Sequence, residues 1–187
     1  MRHVIFDIEA TSWEEQVSPE KTEILEIGAV ELSSASTEAA VSSEFGMLVR
    51  PVGTPVLSRY CLRSTGLTQF EVDQADPFPL VFAQFLAWLG SSPFTLCTWG
   101  DYDLAQLRRD AKRHHVALPT DFESALNLKS AFSRWQNLPP TGLGPALRHL
   151  KLSRSGQAHR APDDARSIAR IARILLPTLD QSPRYTR

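Results

Sequence analysis

Apolar and polar residues alternate along residues 23–32 (EILEIGAVEL), the two-residue period of a half-buried strand. A short β-branched and aromatic run at residues 3–7 predicts a strand before it, and residues 41–49, ending just short of Pro51, predict one after it. Three successive strands with short connections predict an antiparallel meander. The period then lengthens. Leu80, Val81, Phe82, Phe85, Leu86 and Leu89 recur at helical spacing within residues 78–89, and Gly90 ends the run. Short helices are predicted at residues 57–64 and 68–74, the second opened by Thr68 with Glu71 completing a capping box. Residues 94–98 predict a fourth strand. Helices follow at residues 101–112, 127–135, 144–150 and 163–176, where Pro177 is expected to stop the last. This order predicts a single α/β domain over residues 1–178, a mixed sheet flanked by helices, with a polar tail at residues 179–187.

Composition narrows the classes. Of 187 residues, 42% are hydrophobic, which is enough for a core and too many for a disordered chain. The net charge of −1 lends no global support to nucleic-acid binding, although a groove or bound cations can supply local positive potential. Two cysteines, Cys61 and Cys97, cannot build a disulfide framework and read as small buried hydrophobes in a reducing compartment. No apolar run is long enough to span a membrane, and the opening MRHVIFDIEAT lacks the parts of a signal peptide. A cytoplasmic protein is expected.

The candidate chemistry lies in three acidic clusters. Asp7 and Glu9 are two apart on a strand and so project to one face. Like charges repel there and burial is costly, a conflict that a divalent cation resolves. Taken alone, the pair also fits a strand end turning into solvent. Asp101 and Asp103 follow the fourth strand and open a helix, where either can be a cap. Asp163 and Asp164 open the last helix behind Pro162, again as caps or ligands, and His159 stands five residues before Asp164. A histidine beside such a cluster can take a proton from water. Four carboxylates and one histidine together match a two-metal phosphodiesterase.

These residues carry a family resemblance. Asp7-Ile8-Glu9-Ala10-Thr11 with Glu26-Ile27-Gly28-Ala29, then Trp99-Gly100-Asp101-Tyr102-Asp103, then His159 five positions ahead of Asp164, resemble the motifs of the DEDDh 3′→5′ exonucleases. That branch belongs to the ribonuclease-H-like superfamily. The stretches Leu57–Cys61, Thr65–Gln69 and Asn127–Lys129 are similar to its Eri-like subfamily. Pro162 departs from the subfamily's usual Leu or Ile and is expected to stiffen the histidine loop.

The resemblance implies a ribonuclease-H-like mixed sheet and removal of nucleoside 5′-monophosphates from the 3′ end of a single strand. RNA is implied by the subfamily alone. Asp7, Glu9, Asp103 and Asp164 would hold two Mg²⁺, with Mn²⁺ able to substitute, and His159 would be the general base. Tyr60 and Tyr102 would sandwich the terminal base, although partial core packing with a wet hydroxyl fits each. Backbone at Ala10 and Thr11 would approach the terminal sugar. Leu67 would wedge beneath the base or simply pack in the core, and Arg160 would meet phosphate or solvent. Two other functions remain open: a DNA-directed exonuclease, and a non-catalytic nucleic-acid-binding module.

Overall fold

The computed structural model describes residues 1–180, apart from the side chain of Asp180. Among them a five-stranded sheet runs in the order β3-β2-β1-β4-β5. Strands β1 (Arg2–Ala10), β2 (Ile24–Leu32) and β3 (Val41–Leu48) form the antiparallel meander. β4 (Phe94–Thr98) then adds parallel to β1, and β5 (Leu126–Asn127) parallel to β4. The sheet is therefore mixed, and β1 lies at its centre. β5 was not expected: two residues carry no period, and only the open edge of β4 makes them a strand.

Each face of the sheet carries helices. Val4, Phe6, Ile8 and Ala10 of β1 pack with Phe78, Val81, Phe82 and Phe85 of α3 (Phe78–Leu89) and with Leu104 and Leu107 of α4 (Tyr102–Arg113). On the other face Ile5, Val30 and Leu32 meet Ile168, Ile171, Ala172 and Leu175 of α7 (Ala161–Asp180), with α5 (Leu128–Gln136) and α6 (Leu143–His149) beside it. The period of two thus sends even residues of β1 toward α3 and α4, and Ile5 toward α7. Two short helices, α1 (Arg59–Thr65) and α2 (Gln69–Asp73), cover one sheet end, and the expected capping box forms between Thr68 and Glu71.

Two elements run well past their expected bounds. β1 continues three residues past Asp7 to Ala10, so Asp7 and Glu9 both lie inside the ladder, opposite Gly28 and Glu26. Helix α7 begins at Ala161 and passes through Pro177 to Asp180. Proline removes one helical hydrogen bond, but Leu175, Leu176 and Leu179 are buried around it, and this packing carries the last turn onward. The expected tail thus loses residues 179 and 180 to the helix, and its remainder lies outside the described residues. The arginines of α7 tie it down. Arg166 pairs with Glu44 and Asp163, Arg170 donates to Ser153 Oγ, and Arg173 donates to the Thr37 carbonyl.

Candidate active site

Three elements bring the acids together. β1 supplies Asp7 and Glu9, the first turn of α4 supplies Asp103, and the first turn of α7 supplies Asp164. Asp103 is 6% exposed and Asp164 8% exposed. Asp103 Oδ1 accepts the Ile8 N–H at 3.3 Å, which fastens α4 to β1 between the two strand carboxylates.

Crowding shows in the proton affinities. Burial, then the charges of Asp103, Glu9 and Asp164, raises Asp7 well above the ordinary carboxylate range. Burial, then Asp164, Glu26 and Asp103, pushes Glu9 up to about 8. Burial lifts Asp103 to about 7 against the opposing Ile8 N–H. Burial also raises Asp164, with Arg154 opposing. Four acids that cannot all ionise comfortably side by side are a poor structural choice unless a cation joins them. All of the donors are hard oxygens, so the set fits small divalent cations.

His159 stands at the edge of this cluster. Its ring is 63% exposed, and Nδ1 lies 3.9 Å from Glu9 Oε1. Ligand atoms of Glu9, His159 and Asp164 all fall within 4.8 Å of one another. Its backbone adopts φ 62°, and its N–H donates to Asp164 Oδ2 at 3.2 Å. A left-handed non-glycine residue costs about 1–2 kcal/mol, and here it turns the chain into α7.

The neighbouring acids are occupied elsewhere. Asp101 precedes α4 but makes no side-chain cap bond, and its Oδ1 instead accepts from Asn127 Nδ2 at 2.9 Å. Asp163 accepts the Gln157 N–H at 2.8 Å and pairs with Arg166. Arg160 is partly exposed and its charge is matched within the protein. Its Nη2 donates to Glu26 Oε1 at 2.7 Å, and the Ala161 N–H donates to Glu26 Oε2 at 2.8 Å. Glu26, 2% exposed, therefore clamps the histidine loop to β2. Sequence reading noted Glu26 within a motif and gave it no role. It missed Arg154, which ion-pairs with Asp164.

A cleft of about 200 Å³ opens beside Glu9 and His159. Ala10 lies in its wall, and Tyr60 and Tyr102 line it with 41% and 53% of their surfaces exposed. The Arg109 guanidinium carbon lies 6.0 Å from the centroid of the Tyr102 ring. Ser12 and Ser64, which sequence reading did not single out, also line it. Leu67 does not: it is 3% exposed and packs with Leu25, Leu57, Cys61 and Val72. The Thr11 side chain is also turned away, its Oγ1 accepting the Glu23 N–H at 2.9 Å.

Glu23 braces that wall. Its Oε2 accepts the N–H groups of Val52 at 2.9 Å and Gly53 at 3.1 Å. Burial works against its charge, but these N–H groups and the nearby Arg113 outweigh it and hold the carboxyl below its ordinary range. A lowered native pKa stabilises the fold above the unfolded value, near 4.3, and is lost as pH falls through the native one. Glu23→Gln is therefore expected to cost about 1–2 kcal/mol at neutral pH. The deficit should shrink as pH falls through the native pKa, and thermal melts at neutral and acidic pH check it.

The exonuclease family (RNase T) matches residues 4–172. ERI1 exoribonuclease 2 of Danio rerio is 34% identical across 92% of this chain and 34% of its own length. The 3′-5′ exoribonuclease 1 of Homo sapiens is 32% identical across 90% of this chain and 50% of its own. The chain thus spans about a third to a half of these relatives. Among solved structures, the nuclease domain of 3′hExo, a DEDDh family member bound to rAMP, superposes with a TM-score of 0.86 at 28% identity, covering 100% of this chain and 94% of that one. Conserved architecture, three acidic motifs in order and a histidine five residues before the last aspartate agree: the chain belongs to the exonuclease family, in its DEDDh branch and among the Eri-like members.

Proposed function

We propose that this chain is a metal-dependent 3′→5′ exoribonuclease that releases nucleoside 5′-monophosphates from single-stranded ends, with residues 1–178 as its catalytic domain. The observation that carries the reading is the convergence of Asp7, Glu9, Asp103 and Asp164 beside a cleft walled by two exposed tyrosines. RNA is favoured over DNA because the similar proteins are named exoribonucleases and the 3′hExo nuclease domain holds rAMP.

The four carboxylates would hold two divalent cations, Mg²⁺ first and Mn²⁺ as a substitute. Such a pair supplies charge that acidifies water and offsets charge on the departing 3′ oxygen. The protein's own groups do the rest. His159 takes the proton of the attacking water. Tyr60 and Tyr102 stack on the terminal base without reading its identity, at roughly 1–3 kcal/mol per base. Backbone at Ala10 and Thr11 bounds the space for the terminal sugar. Two buried free cysteines suit a reducing compartment, and a cytoplasmic enzyme is the reading that fits. Among the described residues no helix is long and apolar enough to cross a membrane.

The test uses matched RNA and DNA single strands labelled at the 5′ end, with Mg²⁺, with Mn²⁺ or with EDTA. A ladder shortening from the 3′ end of RNA, only with metal, is the expected result. Faster loss of DNA would replace RNA in the reading, and no degradation of either strand by metal-loaded protein would leave a binding module. His159→Ala is expected to lower the rate by about 10²-fold or more, the lower part of the general-base range, because solvent can reach so exposed a position. Single-turnover assays with excess enzyme measure this.

A further inference from the structure

Each carboxylate oxygen of Asp164 accepts a hydrogen bond. Oδ2 accepts the His159 N–H at 3.2 Å, and Oδ1 is held by Arg154 Nη1. Arg154 reaches in from the loop between α6 and α7, ten residues before Asp164. Among the described residues Asp164 is the one hydrogen-bonding partner of its guanidinium. The arginine side chain is 27% exposed and the aspartate side chain 11%.

One guanidinium cannot neutralise four carboxylates, whereas two divalent cations can. A cation that takes Asp164 as a ligand competes with Arg154 for the carboxylate, and its charge repels the guanidinium. Arg154 sits on a loop with a partly exposed, flexible stem.

We propose that Arg154 is a displaceable counter-ion: it pairs with Asp164 in the metal-free protein, gives up Oδ1 to an incoming divalent cation, and so sets the site's metal affinity. This rests on the reading of the four carboxylates as metal ligands. Arg154 is on this account a positioning residue, acting through Asp164.

The experiment strips the full chain with EDTA and titrates Mn²⁺ calorimetrically into wild type, Arg154→Gln and Arg154→Lys, without nucleic acid. Thermal midpoints are recorded metal-free and at saturating Mn²⁺. Arg154→Gln should bind Mn²⁺ about two- to fivefold tighter, the scale of one partly exposed charge contact. Its metal-free midpoint should fall, because Asp164 loses its counter-charge. At saturating Mn²⁺ its midpoint should match wild type. Arg154→Lys, which keeps the charge but not the fork, should fall between the two in affinity, and it reports even where the glutamine variant folds poorly. A midpoint lowered equally with and without metal, at unchanged affinity, would make Arg154 a simple loop clamp and overturn the proposal. Wild type that takes up no Mn²⁺ would instead overturn the metal-site reading, and the counter-ion with it.

Discussion

Asp7→Asn is expected to lower single-turnover cleavage by at least about 10⁴-fold, the rate equivalent of ~5.5 kcal/mol, while leaving the fold intact. The two halves of this expectation have separate causes. Metal ions contribute several kcal/mol of charge stabilisation in phosphoryl chemistry, and Asp7 is the most crowded member of the set that would hold them, pressed by Asp103, Glu9, Asp164 and Glu26. Asparagine keeps the shape and one oxygen but removes the charge. The fold survives for the reason that the site is costly without metal. Removing one of several mutually repelling carboxylates relieves repulsion, so the metal-free thermal midpoint should hold or rise. The stabilisation that metal gives wild type, about 2.7 kcal/mol at a concentration 100-fold above Kd, should shrink in the variant. Cleavage at the wild-type rate would remove Asp7 from the catalytic set. A lost rate with a collapsed midpoint would mark it as structural.

How much of this was legible in the chain depends on range. Local signals came through. α3 and β4 fall on the residues predicted, the capping box of Thr68 and Glu71 forms, and β1, β2 and β3 pair as the meander predicted. Asp7 and Glu9 were legible as a pair because a strand has a period of two. Signals that depend on a distant partner did not come through. β5 exists only beside β4, and helix α7 outlasts Pro177 only because its leucines are buried. Arg160 and Glu26 are 134 positions apart, and nothing local distinguishes that arginine from one in solvent. Arg154 lies outside every motif, so only the fold reveals what it touches. Leu67 could be weighed but not decided, since a buried leucine and one beneath a base look alike in sequence.

Gly28→Ala is expected to damage both stability and rate, and it tests how the site is held rather than what it is made of. Gly28 lies opposite Asp7 on one side and Gly46 on the other. Together the glycines form a bare lane on which the start of α7 rests. A Cβ at Gly28 would stand 2.1 Å from the Ala161 carbonyl carbon and 2.3 Å from Pro162 N. These are backbone atoms, so no rotamer change relieves the clash, and the first turn of α7 must lift off the sheet. Overpacking of this kind costs about 2–3 kcal/mol, or roughly 5–10 °C in Tm for a chain of this length. The same turn carries Asp164, and the Ala161 N–H that Glu26 holds at 2.8 Å would be pulled away. A displacement near 1 Å can cost about 10²-fold in rate, so the folded fraction of the variant should remain slow after correction for stability. Gly46→Ala supplies the comparison. There a Cβ would meet the Pro162 ring at 2.7 Å from Cγ and 3.2 Å from Cβ, a longer approach than at Gly28 that a change of ring pucker partly relieves, and the expected cost is about 1–2 kcal/mol. Melting curves and single-turnover rates on the two variants give the ranking. If Gly46→Ala proves the more damaging, or if Gly28→Ala leaves the rate untouched, α7 does not set the position of Asp164 through this lane.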